Sequence, residues 1–171
     1  MKLIKKILIG FLIFFGLFLM FAIWYKYQYS MDEAVSREVN SISLNKKLLI
    51  ATQGSNFKNK LTDEIVEYYK TDSTYIKIMD ISSLGTTNLD DYDAILIMHT
   101  WEYSKPPSPI QSFMNSGKYN SKKMVVFTTS GEGSYKMENV DAITGASKLE
   151  NIGSHKNEIV NKLNPIIHRN N

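Results

Sequence analysis

The sequence of 171 residues predicts an α/β domain of three layers, helices on both faces of a parallel sheet, preceded by one transmembrane helix. Three observations predict it. Short, continuous apolar runs of strand length recur along the chain, stretches with apolar residues at helical spacing separate them, and an uncharged stretch from Ile7 to Tyr25 comes before them all. Apolar runs without alternation suit strands buried on both faces, and strands alternating with helices imply a parallel sheet with right-handed crossovers.

The first element reads ILIGFLIFFGLFLMFAIWY. At roughly 1.5 Å per residue it crosses a hydrocarbon core of about 30 Å as one helix, and no polar face interrupts it as in a helix of a soluble core. Trp24, Tyr25 and Tyr27 cluster at its far end, where aromatic rings favour the headgroup level. Lys2, Lys5 and Lys6 precede it, so the positive-inside rule puts everything after Lys26 on the extracytoplasmic side of the cell membrane. A cleaved signal peptide has a shorter apolar core, about 7–15 residues, and a small-x-small cleavage site. The run ends instead in WYKYQYS, and an uncleaved, single-pass anchor is expected over residues 1–27. Residues 28–46 are polar and mixed, with only Val35, Val39 and Ile42 at weak helical spacing, and read as a stalk; the folded domain is expected over 47–171.

Within that domain, Lys47–Ala51 is the first strand and stops at Thr52-Gln53-Gly54-Ser55-Asn56, a cluster of turn formers. Leu61, Ile65, Tyr68 and Tyr69 then recur at helical spacing. Thr74–Ile81 is a second strand nearer an edge, interrupted by Lys77 and Asp80, and the linker after it is short for a helix. Ala94–Met98 is a third, wholly apolar strand. Ser108-Pro109 reads as an N-cap followed by proline at the first helical position, with Ile110, Phe113 and Met114 on the apolar stripe and Gly117 as the stop. Lys123–Thr129 is the fourth strand, leading into Ser130-Gly131-Glu132-Gly133. The last helix is expected from about Ser154 to Asn164, with Pro165 ending or kinking it.

Composition removes several function classes. Four of the 20 basic residues fall within the first 31, where there is no acid, leaving 16 basic against 17 acidic side chains in the rest. A near-neutral domain lacks the basic footprint that nucleic acid requires. With no cysteine there is no disulfide, thiolate nucleophile, iron–sulfur ligation or lipoprotein anchor. His99, His155 and His168 show no ligand spacing, so no metal site is expected. Ser130 in TTSGEG lacks the GxSxG context of a nucleophile turn, and Asp80, Asp90 and Asp91 read as solvated charges at strand ends.

Three segments, IATQGSNFKNKLTDEIVEYYK, LDDYDAILIMHTWEYSKPPSPIQSFM and KKMVVFTTSGEG, resemble in this order the first strand, phosphate loop and helix, the third strand with its flavin-side loop, and the fourth strand of flavodoxins. The resemblance implies a flavodoxin-like three-layer sandwich with strand order 2-1-3-4-5, FMN as cofactor, and electron transfer to a redox partner in which the flavin does the chemistry. Carried over, Thr52, Gln53, Gly54, Ser55 and Asn56 would hold the phosphate, while Thr100, Trp101, Glu102, Tyr103, Ser130 and Gly131 would surround the ring. The pattern departs from that family in the run Gly54-Ser55-Asn56-Phe57, and at Met98, Thr100 and Glu102 in the second loop. The alternative is a non-redox binding module on the same fold with a degenerate flavin pocket. Separately, Val140–Ser147 (VDAITGAS) resembles the flavin-attachment motif of extracytoplasmic FMN-binding domains, which would make Ser147 the acceptor and Asp141 part of the recognition sequence. Without that role, VDAIT is simply a fifth strand with a turn after it.

Overall fold

The computed structural model describes residues 2–169, apart from the side chains of residues 2 and 26–29, so the expectations for Lys2, Lys26 and Tyr27 lie outside the described residues. It divides into two units, residues 1–30 and 31–171. The first is one helix, α1 (Lys2–Tyr29), whose stretch Leu3–Tyr25 is long and apolar enough to cross a membrane. Among the described residues its large apolar side chains are exposed.

The second unit contains β1 (Asp32–Glu33), β2 (Arg37–Val39), β3 (Lys46–Gly54), α2 (Asn56–Lys70), β4 (Thr74–Asp80), β5 (Ala94–Thr100), α3 (Ser108–Asn115), β6 (Met124–Thr129), β7 (Ala142–Gly145) and α4 (Ile152–Ile167). The five strands β4-β3-β5-β6-β7 are parallel and neighbours in that order. This is the predicted 2-1-3-4-5 arrangement, and the fold is flavodoxin-like α/β.

Both faces of the sheet are dry. Leu48, Ile50, Leu96 and Phe127 meet Leu61 and Ile65 of α2 and Ile159 and Leu163 of α4. Leu49, Ala51, Ile95, Ile97 and Val126 meet Ile110 and Phe113 of α3 and Leu84 of the β4–β5 connection. Successive strand residues point to opposite faces, so only an unbroken apolar run satisfies both layers.

Several boundaries differ from expectation, each for a physical reason. The segment expected as a stalk instead adds strands to the sheet: β2 pairs antiparallel with β4 through Arg37↔Ile78 and Val39↔Ile76, and β1 pairs antiparallel with the end of β3 through Asp32↔Gly54 and Glu33↔Gln53. With β1 as partner, β3 continues through Thr52, Gln53 and Gly54 rather than stopping at Ala51. Likewise β5 continues through His99 and Thr100, which pair with Thr128 and Thr129. At α3 the cap position falls on Pro107, with Ser108 the first helical residue. Pro165 does not end α4; it sits in the last turn, which closes with His168 N–H on the Asn164 carbonyl. Asp80 is not a solvated strand end, because its two carboxylate oxygens accept from the amides of Ala34 and Ser82.

Candidate functional site

In an open parallel sheet, ligands bind beyond the carboxyl ends of strands where the strand order reverses, here between β3 and β5. Strand β3 runs to Gly54 and α2 begins at Asn56, leaving Ser55 as the entire connection. Its hydroxyl accepts the Lys58 amide at 3.1 Å and so caps the helix. Thr52 is buried, its hydroxyl donating to the Gln53 carbonyl. Gly54 is needed for close approach: a Cβ there would lie 2.6 Å from the Glu33 carbonyl oxygen, so the backbone of β1 lies directly on it. Of the five residues expected to cradle a phosphate, three are strand, one is a cap and the last, Asn56, opens α2 on the exposed side.

Beneath this joint lies a group that the sequence reading did not single out. Lys58 has no exposed surface, and its ammonium donates to the hydroxyls of Thr100 and, at 3.4 Å, Thr129, with the Met31 sulfur 4.0 Å away. The two threonine oxygens are 2.8 Å apart. Burial brings the Lys58 pKa down to about 8, with the Glu102 carboxylate pulling in the other direction. His99 is buried beside it and held neutral, its pKa lowered to about 3 by burial and then by the Lys58 charge. The signal for Lys58 was available: positions 58, 61, 62, 65 and 69 share one helical face, and all are buried.

Gln53 ties the β3 tip to the next loop. Its side-chain carbonyl accepts the Thr100 amide and its side-chain N–H donates to Glu102, both at 2.7 Å. Glu102 and Lys105 exchange backbone hydrogen bonds of 2.9 and 3.1 Å around Tyr103 and Ser104, both left-handed with φ of 52° and 61°. Two consecutive left-handed residues are the mark of a type I′ turn. Trp101 is packed against Tyr135, ring centroids 5.3 Å apart and planes at 59°, while Tyr103 is exposed. Ser130 is turned into its own loop, its hydroxyl accepting the amides of Gly133 and Tyr135; Gly131 faces open space.

Of the expected site residues, hydrogen bonds bring Gln53, Thr100 and Glu102 together, while Ser130 is bonded within its own loop and Trp101 packs on Tyr135. Ser147 is exposed after β7, with Asp141 engaged by Lys162 at 2.8 Å. As β7 is three strands from β3, Ser147 is laterally about 14 Å from the β3 tip at the usual strand spacing. The β3 tip does not fit an FMN held by its phosphate: the Ser55 hydroxyl caps α2, the Thr52 hydroxyl donates to the Gln53 carbonyl, the Glu33 backbone lies on Gly54, and Asp32, Glu33 and Glu102 bring negative charge. Among the described residues no cluster of His, Asp or Glu could hold a metal ion.

The fold and site together define a flavodoxin-like α/β domain whose phosphate-loop position is closed. No family model matches the chain, and no curated protein does. Solved structures that resemble it include a flavodoxin from the domain Archaea, with 13% identity over 71% of this chain and 99% of that one and a TM-score of 0.48. Flavodoxin 2 from Bacillus cereus matches with 17% identity over 71% and 76% of the two chains and a TM-score of 0.42. General stress protein 14 from Treponema denticola, in complex with FMN, matches with 12% identity over 70% and 80% and a TM-score of 0.33. The fold assignment rests on the strand order and layering of this chain.

Proposed function

We propose that this chain is a membrane-tethered, non-redox binding module on a flavodoxin-like fold, and that its ligand enters the cleft between β1, the β3 tip and residues 102–109. One observation carries the proposal: the β3 tip, where the resemblance would place a phosphate, is covered by the Glu33 backbone. The cleft has a volume of about 380 Å³ and is lined by Asp32, Glu33 and Glu102 against Lys105, with Tyr103 and Pro106 as apolar surface. That balance favours a ligand bearing a positive group and disfavours a phosphate dianion. The lysines ahead of the apolar run Ile7–Tyr25 support placing the domain on the extracytoplasmic side.

The resemblance noted above implies instead an FMN-binding electron carrier, and one experiment separates the two. The full chain in detergent is titrated against FMN while flavin fluorescence is followed. A colourless protein that leaves the fluorescence unquenched is expected; a yellow protein or saturable quenching overturns the proposal. Co-expression with a flavin transferase followed by acid precipitation tests the covalent route. Flavin retained in the pellet by the parent and lost in Ser147→Ala would also overturn it.

A further inference from the structure

We propose that Met31–Ala34 is a strap with an open form, and that opening uncovers the Lys58 amine between the hydroxyls of Thr100 and Thr129. The proposal does not depend on the identity of the ligand in the cleft. It stands on how closure is built. The strap's ladder is only two residues long, and both residues are exposed. Beyond that ladder it is held by the Ala34 amide on Asp80 at 2.9 Å and by the Met31 sulfur lying 4.0 Å from the Lys58 ammonium. Short, solvent-exposed ladders open at much lower free energy than the core strands behind them.

What lies underneath sets closure at odds with itself. Glu102, the carboxylate that acts on Lys58, is itself hydrogen-bonded to Gln53, and hydroxyls are the oxygen partners of the ammonium. A buried ammonium without a paired carboxylate is costly, and exposure to water removes that cost. Opening also carries Asp32 and Glu33 away from the β3 tip, so the surface there loses two carboxylates, keeps Asp80 and Glu102, and gains a cation flanked by two hydroxyl groups. The closed and open forms thus present different charge at one place in the fold, and a ligand that prefers either form shifts the population towards it.

The lever for a test is steric. Gly54→Ala puts a methyl 2.6 Å from the Glu33 carbonyl oxygen, and Met31→Ala removes the sulfur near Lys58. The full chain in detergent micelles is treated with an amine-acylating reagent, and Lys58 is compared by peptide mass with Lys60, which is exposed in the same helix. In the parent, Lys58 is expected to label slowly, yet faster than global unfolding gauged by hydrogen exchange of the Leu96 amide. Both variants are expected to raise the Lys58:Lys60 ratio about tenfold, the response to roughly 1.4 kcal/mol of strap destabilisation. The Ala34 amide is expected to exchange on the order of a hundred times faster than that of Leu96 in the parent. Lys58 labelling only at the global unfolding rate, or at the same rate in parent and both variants, would overturn the strap. So would an Ala34 amide as protected as that of Leu96.

Discussion

Two connections leave the same edge of the sheet and resolve the same physical problem in opposite ways. Between β3 and α2 there is one residue, Ser55, whose hydroxyl caps the helix, and a buried lysine fills the space below. Between β5 and α3 the chain takes residues 101–107, with two left-handed positions, an exposed tyrosine and two consecutive prolines. The first connection is a single capping residue, while the second turns Tyr103, Ser104 and Lys105 out to solvent. Ligand binding on a parallel sheet needs loops with unused donors and acceptors, so the cleft belongs to the second connection even though the resemblance pointed first to the other.

The sharpest way to break this contrast is to remove the charge under the tight joint. Lys58→Met keeps the aliphatic length and leaves Thr100 and Thr129 bonded to each other at 2.8 Å. It is expected to raise stability by about 3 kcal/mol at pH 7, since a buried cation replaced by an apolar side chain is neutral or stabilising. The same group fixes the pH dependence. Its folded pKa of about 8 lies below the unfolded 10.5, so between those values the unfolded chain holds the proton that the folded one has lost. Stability therefore rises as pH increases from about 8 to 10.5, and what Lys58 contributes is constant below pH 8. Urea denaturation of parent and variant across that window checks both; a Lys58→Met protein less stable than the parent would show the ammonium to be a net support of the joint.

Loosening the second connection is the next largest effect. Gln53→Ala deletes its bonds to the Thr100 amide and to Glu102, and is expected to cost about 2 kcal/mol, chiefly because the Thr100 amide is left without a partner. It should also shorten the protection of amides 101–105 in hydrogen exchange while leaving α2 unchanged. Ser55→Ala acts on the tight joint instead. Loss of the cap on the Lys58 amide is expected to cost about 1 kcal/mol, read as a lower urea midpoint with unchanged slope.

How far all this was legible depends on how locally each feature is encoded. Three of the five parallel strands were readable because a strand buried on both faces must be apolar at every position, and Lys47–Ala51, Ala94–Met98 and Lys123–Thr129 are nearly so. Strands β1 and β2 were not, since Asp-Glu and Arg-Glu-Val carry no period and are held by partners, Gly54 and Ile78, far along the chain. Gly54 illustrates the same limit. Glycine after a strand signals either a phosphate-binding turn or room for a neighbouring backbone, and only the position of Glu33 decides between them. Lys58 was within reach, because it falls on the buried stripe of α2, yet a charged residue in a helix's first turn is ordinarily assigned to solvent.

The smallest predicted effect probes the exposed turn itself. Tyr103 and Ser104 occupy left-handed positions with φ of 52° and 61°, a conformation that costs side-chain-bearing residues about 1 kcal/mol or more each and that Asn-Gly adopts readily. Both residues are exposed, so little packing is lost on replacing them. Tyr103→Asn with Ser104→Gly is therefore expected to stabilise the domain by about 1 kcal/mol, a rise in melting temperature of roughly 3 °C. If the cleft is where ligand enters, the same double variant should weaken binding while the fold becomes firmer, because Tyr103 is part of the cleft wall. A stabilised protein with undiminished affinity would move the ligand away from this turn; a destabilised one would mean that the tyrosine ring, despite its exposure, contributes more than its backbone strain costs.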